Sequence, residues 1–141
     1  MMQRLVRIKL DEGAYMPERA HATDAGADIR TPEGFVLPAH GSAIVHTGVH
    51  IETPPTHATM IKSKSGLNVN HDITSEGVVD EGFSGEIIVK LYNHGPNPHI
   101  FERGDKITQI VIVQVMYAYF EEADEILAGE RGSNGYGSTG R

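Results

Sequence analysis

The last 11 residues, 131–141, carry the residue types best suited to closing over a ligand. Their glycines expose backbone N–H groups, and Ser138 and Thr139 offer hydroxyls. Arg131 adds a fork of donors and Tyr136 a flat aromatic ring. A segment so poor in apolar residues does not fold alone. Two interpretations follow: an arm that orders over a phosphorylated molecule bearing an aromatic base, or a flexible tail without function.

Two earlier segments pair charge with small residues. In 24–29, Asp28 stands among alanines and a glycine just before a predicted strand, either held in a tight turn or simply solvated. In 62–67, Lys62, Ser63, Lys64 and Ser65 precede Gly66 at a predicted helix start. Helix N-termini favour phosphate, although the upstream glycine of a P-loop is absent. The alternative for 62–67 is a basic surface turn.

Two further segments combine turns with polar groups. Residues 77–86 contain three glycines around Asp80 and Phe83, a carboxylate able to activate water and a ring able to pack on a sugar. The alternative is a hairpin with a solvent-facing Asp and a core Phe. In 103–110, a Gly-Asp turn enters a long apolar strand carrying Gln109, either a ligand contact or a buried hydrogen-bonded spacer.

Composition bounds the class of protein. The 141 residues favour one domain, and a net charge of −7 argues against a general nucleic-acid surface. With no Cys, thiolate chemistry and disulfides are excluded, and the eight scattered His residues predict no metal site. No apolar run approaches the length of a membrane-spanning helix. Charged residues interrupt the first ten positions, whereas a signal peptide has an uninterrupted apolar core. We expect a cytoplasmic protein that binds neither nucleic acid nor membrane.

Period-two patterns and short β-branched runs predict an all-β, single-domain jelly roll or sandwich. The predicted strands are 4–10, 34–37, 42–51, 57–62, 86–92 and 107–116. In 86–92, Ile87, Val89 and Leu91 should share one face. A helical turn is predicted at 65–69 with Ser65 near its cap, and 120–127 is either a short acidic helix or a linker. We divide the chain into a β domain, 1–128, and a mobile arm, 129–141.

Taken in order, these five segments resemble the five motifs of the trimeric dUTPases and cover 24–140. The resemblance implies a jelly-roll homotrimer with three active sites at subunit boundaries, each closed by a C-terminal arm. It implies hydrolysis of dUTP to dUMP and pyrophosphate, with Mg²⁺ on the triphosphate. This activity limits uracil incorporation into DNA and supplies dUMP for dTTP synthesis.

The resemblance also assigns roles by position. Asp80 matches the base that deprotonates the attacking water, and Asp28 matches an acid near the phosphates and the water shell of the metal. Phe83 stands where the family usually has Tyr beneath the deoxyribose, and Lys64 stands where Arg is usual. The backbone of 75–79 would pair with the uracil edge. The implied substrate-binding residues are Lys64, Ser65, Gly66, Val79, Phe83, Gln109, Arg131, Tyr136, Gly137 and Ser138.

Two rival functions are compatible with parts of this pattern. The homologous dCTP deaminase shares an Asp-x-x-Phe-Ser-Gly stretch, but its catalytic Glu would fall where this chain has Lys90. A nucleotide-binding regulator or structural jelly-roll protein without turnover would not need Asp80 together with the arm.

Overall fold

The computed structural model describes residues 3–140, and in this range the chain is mostly β. The strands are β1 (Ile8–Leu10), β2 (Ala27–Arg30), β3 (Phe35–Leu37), β4 (Ser42–His46), β5 (Val49–Ile51), β6 (His57–Lys62), β7 (Ile73–Val79), β8 (Ile88–Asn93), β9 (His99–Phe101) and β10 (Lys106–Gln114). One helix, α1 (Ser65–His71), connects β6 to β7. The predicted all-β class is confirmed.

A curled six-stranded sheet, ordered β2-β10-β6-β7-β8-β4, positions the segments singled out above. Its neighbouring strands are antiparallel, and β10 lies between β2 and β6. Two small sheets, β1-β5 and β3-β9, complete the framework. The strand containing Asp28 and the strand containing Gln109 are therefore neighbours although they are far apart in the chain.

One apolar core holds these sheets together. Its fully buried side chains include Ile29, Leu37, Ile73, Ile87, Val89, Leu91 and Ile107. The predicted alternation along β8 is confirmed: Val89 and Leu91 are buried, whereas Ile88 remains 49% exposed. Strand β6 has its predicted bounds. Burial of apolar surface is the dominant favourable contribution to folding, so these side chains stabilise the arrangement of the three sheets.

The single strand predicted over 42–51 is wrong, because the chain breaks there into β4 and β5. Gly48 adopts a φ of 69°, and the buried Thr47 hydroxyl donates to the Ile87 carbonyl at 2.6 Å. After this bend, β4 pairs with β8 while β5 pairs with β1. The bend redirects the chain from the large sheet to a small one.

The helical predictions are partly confirmed. The helix predicted at 65–69 forms and continues to His71, and Ser65 lies next to its N-cap, Lys64, as predicted; no side chain in the described range caps this end. Residues 120–127 form neither helix nor strand, which leaves the acidic-linker interpretation. Asp28, predicted just before a strand, lies within β2. Among the described residues, no helix is long and apolar enough to cross a membrane.

Candidate active site

The sheet brings four residues from three of the predicted segments into one cluster, which we call the lysine cluster: Asp28, Lys64, Lys106 and Gln109. Gln109 on β10 lies opposite Asp28 on one side and opposite Lys62 on the other. Lys64 lies two residues after the end of β6, and Lys106 begins β10. The order of strands, rather than closeness in the chain, assembles this group.

Asp28 is the centre of the lysine cluster. It is only 6% exposed, and its two carboxylate oxygens accept from Lys64 and, at 3.0 Å, from Lys106. Burial opposes ionisation of this carboxyl, but hydrogen bonds and charge from the two lysines outweigh it and lower the pKa of Asp28. Two ammonium groups share one carboxylate, so these three side chains carry a net positive charge suited to phosphate.

Gln109 is held between β6 and β2 by a close backbone approach. Its side-chain amide donates to the Ser63 carbonyl at 2.9 Å. A Cβ on Gly26 would lie 2.0 Å from the Gln109 side-chain oxygen, so only glycine leaves room for this amide. Gln109 is therefore a half-buried, hydrogen-bonded spacer at the edge of a cationic site, and its role as a ligand contact stays a prediction.

Three hydroxyls fix the end of β6, from which Lys64 extends. The Ser63 hydroxyl donates to the Ser75 carbonyl at 3.1 Å and accepts from the Ser75 N–H at 2.9 Å. The buried Ser75 and Thr108 hydroxyls lie 2.7 Å apart, and Thr108 also donates to the Lys62 carbonyl. This network joins β6, β7 and β10 just before α1 begins.

The first turn of α1 faces solvent beside the lysine cluster. Ser65 and Gly66 are exposed, and nothing lies within 4 Å of a Cβ built on Gly66. Since no side chain caps this end, its backbone N–H groups remain available to an anion.

Asp80 lies in a tight turn at the opposite end of β7. The Phe83 N–H donates to the Asp80 carbonyl at 3.2 Å, and Gly82 supports the turn with a φ of 89°. The Asp80 side chain is exposed and, among the described residues, makes no hydrogen bond or ion pair. It lines a cavity of about 450 Å³ together with Met60, Val78 and residues 115–117. An unpaired carboxylate beside a cavity can accept a proton from water.

Glu81, the next residue, ties this turn to two other segments. Its carboxylate accepts from the Thr56 N–H at 2.8 Å and from the Tyr117 hydroxyl. The hydrogen bond from Tyr117 is the main reason that the pKa of Glu81 is lowered, with that from Thr56 second. The Val115 N–H in turn donates to the Thr56 carbonyl. Glu81 thus fixes the Asp80 turn to the beginning of the C-terminal segment.

Phe83 is half exposed, not the core Phe of the alternative interpretation. Its ring lies against Gly85, where an added Cβ would be 2.5 Å from the ring tip. The ring also lines a cavity of about 380 Å³ with Lys9, His50 and Thr53. A flat apolar surface is therefore presented three residues from Asp80.

The β7–β8 ladder ends before the strands do. It pairs Ile73 with Asn93, Thr74 with Tyr92 and Ser75 with Leu91, and no further rung follows. Residues 76–79 instead pair only with β6, and 88–90 pair only with β4. The facing edges of 76–79 and 88–90 therefore lack ladder hydrogen bonds to each other, and their backbone donors and acceptors are open to a planar polar molecule.

Asp80 and the lysine cluster lie at opposite ends of the β6–β7 pair. Thr59 faces Val79 at one rung, and Lys62 faces Glu76 three residues away. Asp80 lies beyond the first rung and Lys64 beyond the second. At about 3.3 Å per residue, more than roughly 10 Å of strand separates them. One chain does not bring the predicted base and the predicted phosphate cations together.

The C-terminal arm is exposed to solvent and is hydrogen-bonded only to itself within residues 3–140. Every residue from Met116 to Gly140 is exposed, and the arm hydrogen bonds beyond 128 are internal to it. Arg131 donates to the Asn134 carbonyl at 2.7 Å and to the Gly135 carbonyl at 2.9 Å. Tyr136, Gly137 and Ser138 share this exposure and, within residues 3–140, make no hydrogen bond to the β domain.

Sequence reasoning missed four contributing side chains, those of Lys106, Glu81, Ser75 and Thr108. Lys106 was visible in the fourth segment, but only the β2–β10 register reveals its contact with Asp28. Glu81 is adjacent to Asp80, yet its partners Thr56 and Tyr117 are remote in sequence. The Ser75–Thr108 pair carried no recognisable pattern.

Comparison with known proteins gives a consistent result. The dUTPase family profile matches residues 12–140. The deoxyuridine 5'-triphosphate nucleotidohydrolase of Clostridium acetobutylicum is 41% identical over 135 residues, covering 94% of this chain and 93% of that protein. The protein of the same name from Gloeothece citriformis is 43% identical, covering 97% of each chain. The dUTPase of Staphylococcus bacteriophage 80alpha, solved as a G164S mutant with dUpNHpp, superposes with a TM-score of 0.87 at 26% identity, covering 99% of this chain and all of that one. This chain belongs to the dUTPase family.

Proposed function

We propose that the protein hydrolyses dUTP to dUMP and pyrophosphate by attack of water on the α-phosphorus. The observation that carries the proposal is the position of Asp80, exposed and without a side-chain partner in residues 3–140, at the mouth of the gap between β7 and β8. A base bound in that gap would place its sugar near Phe83 and its first phosphate near Asp80. Asp80 then accepts the proton of the attacking water.

Backbone groups supply base recognition. A uracil edge, with alternating carbonyl and N–H groups, can replace the missing rungs between 76–79 and 88–90. Cytosine presents the wrong donor pattern, and a site built for polar edge matching rejects such analogues strongly. Phe83 supports the deoxyribose and leaves a 2′-hydroxyl without a polar partner.

The lysine cluster and the first turn of α1 bind the triphosphate. Lys64 and Lys106 neutralise charge, Gln109 donates an amide, and Ser65 with Gly66 contributes the helix N-terminus. Because phosphoryl transfer depends mainly on positioning and charge stabilisation, these groups need no covalent role. Arg131 reaches the γ-phosphate, while Tyr136 covers the base and Gly137 and Ser138 add donors.

A homotrimer with shared sites reconciles this chemistry with the distances. In such a trimer, one chain supplies Asp80, a second chain supplies the lysine cluster, and an arm closes over both. This arrangement brings together groups that are too far apart within one chain. An apolar surface supports the association: Met60, Val78 and Val111 share one rung on the outer sheet face, where Val78 is 58% exposed. Met116, 85% exposed, continues this surface toward the arm.

The site suits a magnesium ion that is bound mainly by the triphosphate. Residues 3–140 contain no group of three His, Cys, Asp or Glu placed to hold a metal directly, and Mg²⁺ commonly relies on substrate phosphates and water. Each Asp28 oxygen keeps a lone pair for a metal-bound water beyond its lysine contacts. When bound, the ion would neutralise charge on the triphosphate. Asp28, Lys64 and Lys106 would orient that complex.

The deaminase alternative is disfavoured by the position of Lys90. Its ammonium group lies 5.3 Å from the centre of the Tyr92 ring on the exposed face of β8, whereas Val89 and Leu91 point into the core. A proton shuttle from this position into the β7–β8 gap has no support in the geometry.

A substrate panel tests the proposal. Pyrophosphate release should occur with dUTP and be weak with UTP, dTTP and dCTP. Ammonia from dCTP would support the deaminase, and binding of dUTP without product would support a regulator.

Subunit sharing has its own test. Asp80→Asn chains mixed with chains truncated after Gly129 should recover part of the activity that each lacks alone. Verified mixed trimers without recovery would place arm and base in one chain.

A further inference from the structure

The arm contains an asparagine with a distinctive neighbour. Of the five asparagines, Asn134 alone precedes a glycine; the others precede Val, His or Pro. An Asn-Gly pair is chemically vulnerable because the glycine has no side chain to keep its backbone nitrogen away from the preceding amide carbon. Asparagine is also among the thermally labile residue types.

The local structure leaves both reacting groups free. Asn134 is exposed, and within residues 3–140 its side chain makes no hydrogen bond. The Gly135 N–H donates none in the same range, since the neighbouring backbone bonds run from Asn134 to Arg131 and from Ser138 to Gly135. Neither the side chain nor the backbone nitrogen is restrained against ring closure.

We propose that Asn134 is a site of spontaneous deamidation. The deprotonated Gly135 nitrogen attacks the Asn134 side-chain carbonyl carbon, the bond to the side-chain nitrogen breaks, and ammonia leaves. The resulting five-membered imide is opened by water to aspartate or isoaspartate. Overall, amide and water give carboxylic acid and ammonia, so no oxidant or reductant is required.

The functional consequence rests on the proposed function of the arm. Arg131 already donates to the carbonyls of Asn134 and Gly135. A carboxylate at position 134 would compete with the triphosphate for the same guanidinium. Isoaspartate would also insert one extra carbon into the backbone between Arg131 and Tyr136. The two side chains would then no longer be spaced to contact the γ-phosphate and the base of the same nucleotide. Both products raise KM for dUTP.

Mass spectrometry tests the site independently of any activity. Full-length protein is incubated in warm, mildly alkaline buffer and then digested with trypsin, which cuts after Arg131 and releases 132–141 with Asn134 as its sole asparagine. We expect Asn134 to convert about tenfold faster than Asn68 or Asn93, because only Asn134 has an unhindered glycine neighbour. Equal rates at these positions would overturn the proposal.

Gly135→Ala is the matched control. Nothing lies within 4 Å of a Cβ at Gly135, so the substitution fits the arm while hindering ring closure. Its Asn134 should convert more slowly, and its dUTP turnover should decline less than that of the wild type during incubation. Asn134→Asp should show a raised KM; a normal KM would refute the consequence and leave the site intact. If fresh protein lacks dUTP turnover, the proposed function fails, whereas the mass measurement still decides the deamidation.

Discussion

The two acids of the candidate site occupy opposite environments. Asp28 is buried, bonded to two lysines, and fixed within β2, an edge strand of the large sheet. Asp80 is exposed on a turn and, among the described residues, has no side-chain partner. A paired carboxylate stabilises and orients, while an unpaired one remains able to accept a proton. The same residue type thus serves as a positioning group in one region and as the proposed base in the other.

The substitution Asp80→Asn tests the difference between the two acids most directly. We expect turnover of dUTP to fall by about 10²- to 10⁴-fold, since proton acceptance is lost. Binding of dUpNHpp and the thermal midpoint should change little, because the side chain holds no other group in place. Turnover within twofold of wild type would remove Asp80 from the role of base.

Asp28→Asn should have the complementary effect. It leaves Lys64 and Lys106 without their carboxylate, and we expect a loss of about 1–3 kcal/mol in the free energy of unfolding. Measured by denaturant titration, this loss should appear at neutral pH. A variant as stable as the wild type would show that the two ion pairs carry no net stability.

The pH dependence sharpens the assignment of Asp28. Folding lowers its pKa below the ordinary value of 3.8, so its ionised form stabilises the fold at higher pH, and this contribution disappears as pH falls through the lowered pKa. The Asp28→Asn variant should therefore lose less stability than the wild type on acidification below pH about 4. If the free energy of unfolding of the two proteins falls equally on acidification, the lowered pKa of Asp28 is contradicted.

Glu81 lies between these extremes, exposed but bonded. Glu81→Ala should lower kcat about three- to tenfold with little change in KM, because the Asp80 turn loses its anchors at Thr56 and Tyr117. Glu81→Gln retains an acceptor oxygen and should recover most of that loss. If Glu81→Ala changes KM alone, or if glutamine gives no rescue, the turn is positioned by other contacts.

The smallest effect is expected at Gly85. Alanine there would displace the half-exposed Phe83 ring rather than the backbone. We expect the preference for dUTP over UTP to weaken by less than about tenfold, consistent with the modest energy of a shifted apolar contact. An unchanged ratio in competition assays would show that the ring does not contribute to sugar selection.

The strands that the sequence predicted well are those defined by local patterns, and those it missed depend on contacts between distant residues. Strands β6 and β8 were predictable because alternation is local. Strand β7 was not, since Thr74, Ser75, Glu76 and Gly77 interrupt its apolar pattern and pair with β6 through tertiary contacts. The break at Gly48 was hidden because β-branched residues lie on both sides of it, so that 42–51 was predicted as one strand.

For the site, residue types indicated Asp28, Asp80 and Gln109, but not their grouping. The contact of Asp28 with Lys106 depends on the β2–β10 register, and the separation of Asp80 from Lys64 depends on the direction of β6 and β7. Sheet order and strand direction are properties of the whole fold. They could not be read from any one segment.

The early end of the β7–β8 ladder has an evolutionary consequence. If main-chain atoms along 76–79 and 88–90 discriminate among bases, then base preference depends on the spacing of two strands and not on any side chain. Point substitutions along these strands can drift widely without changing which base is accepted. A new preference would instead require a change in how far the strands separate, such as an inserted or deleted residue.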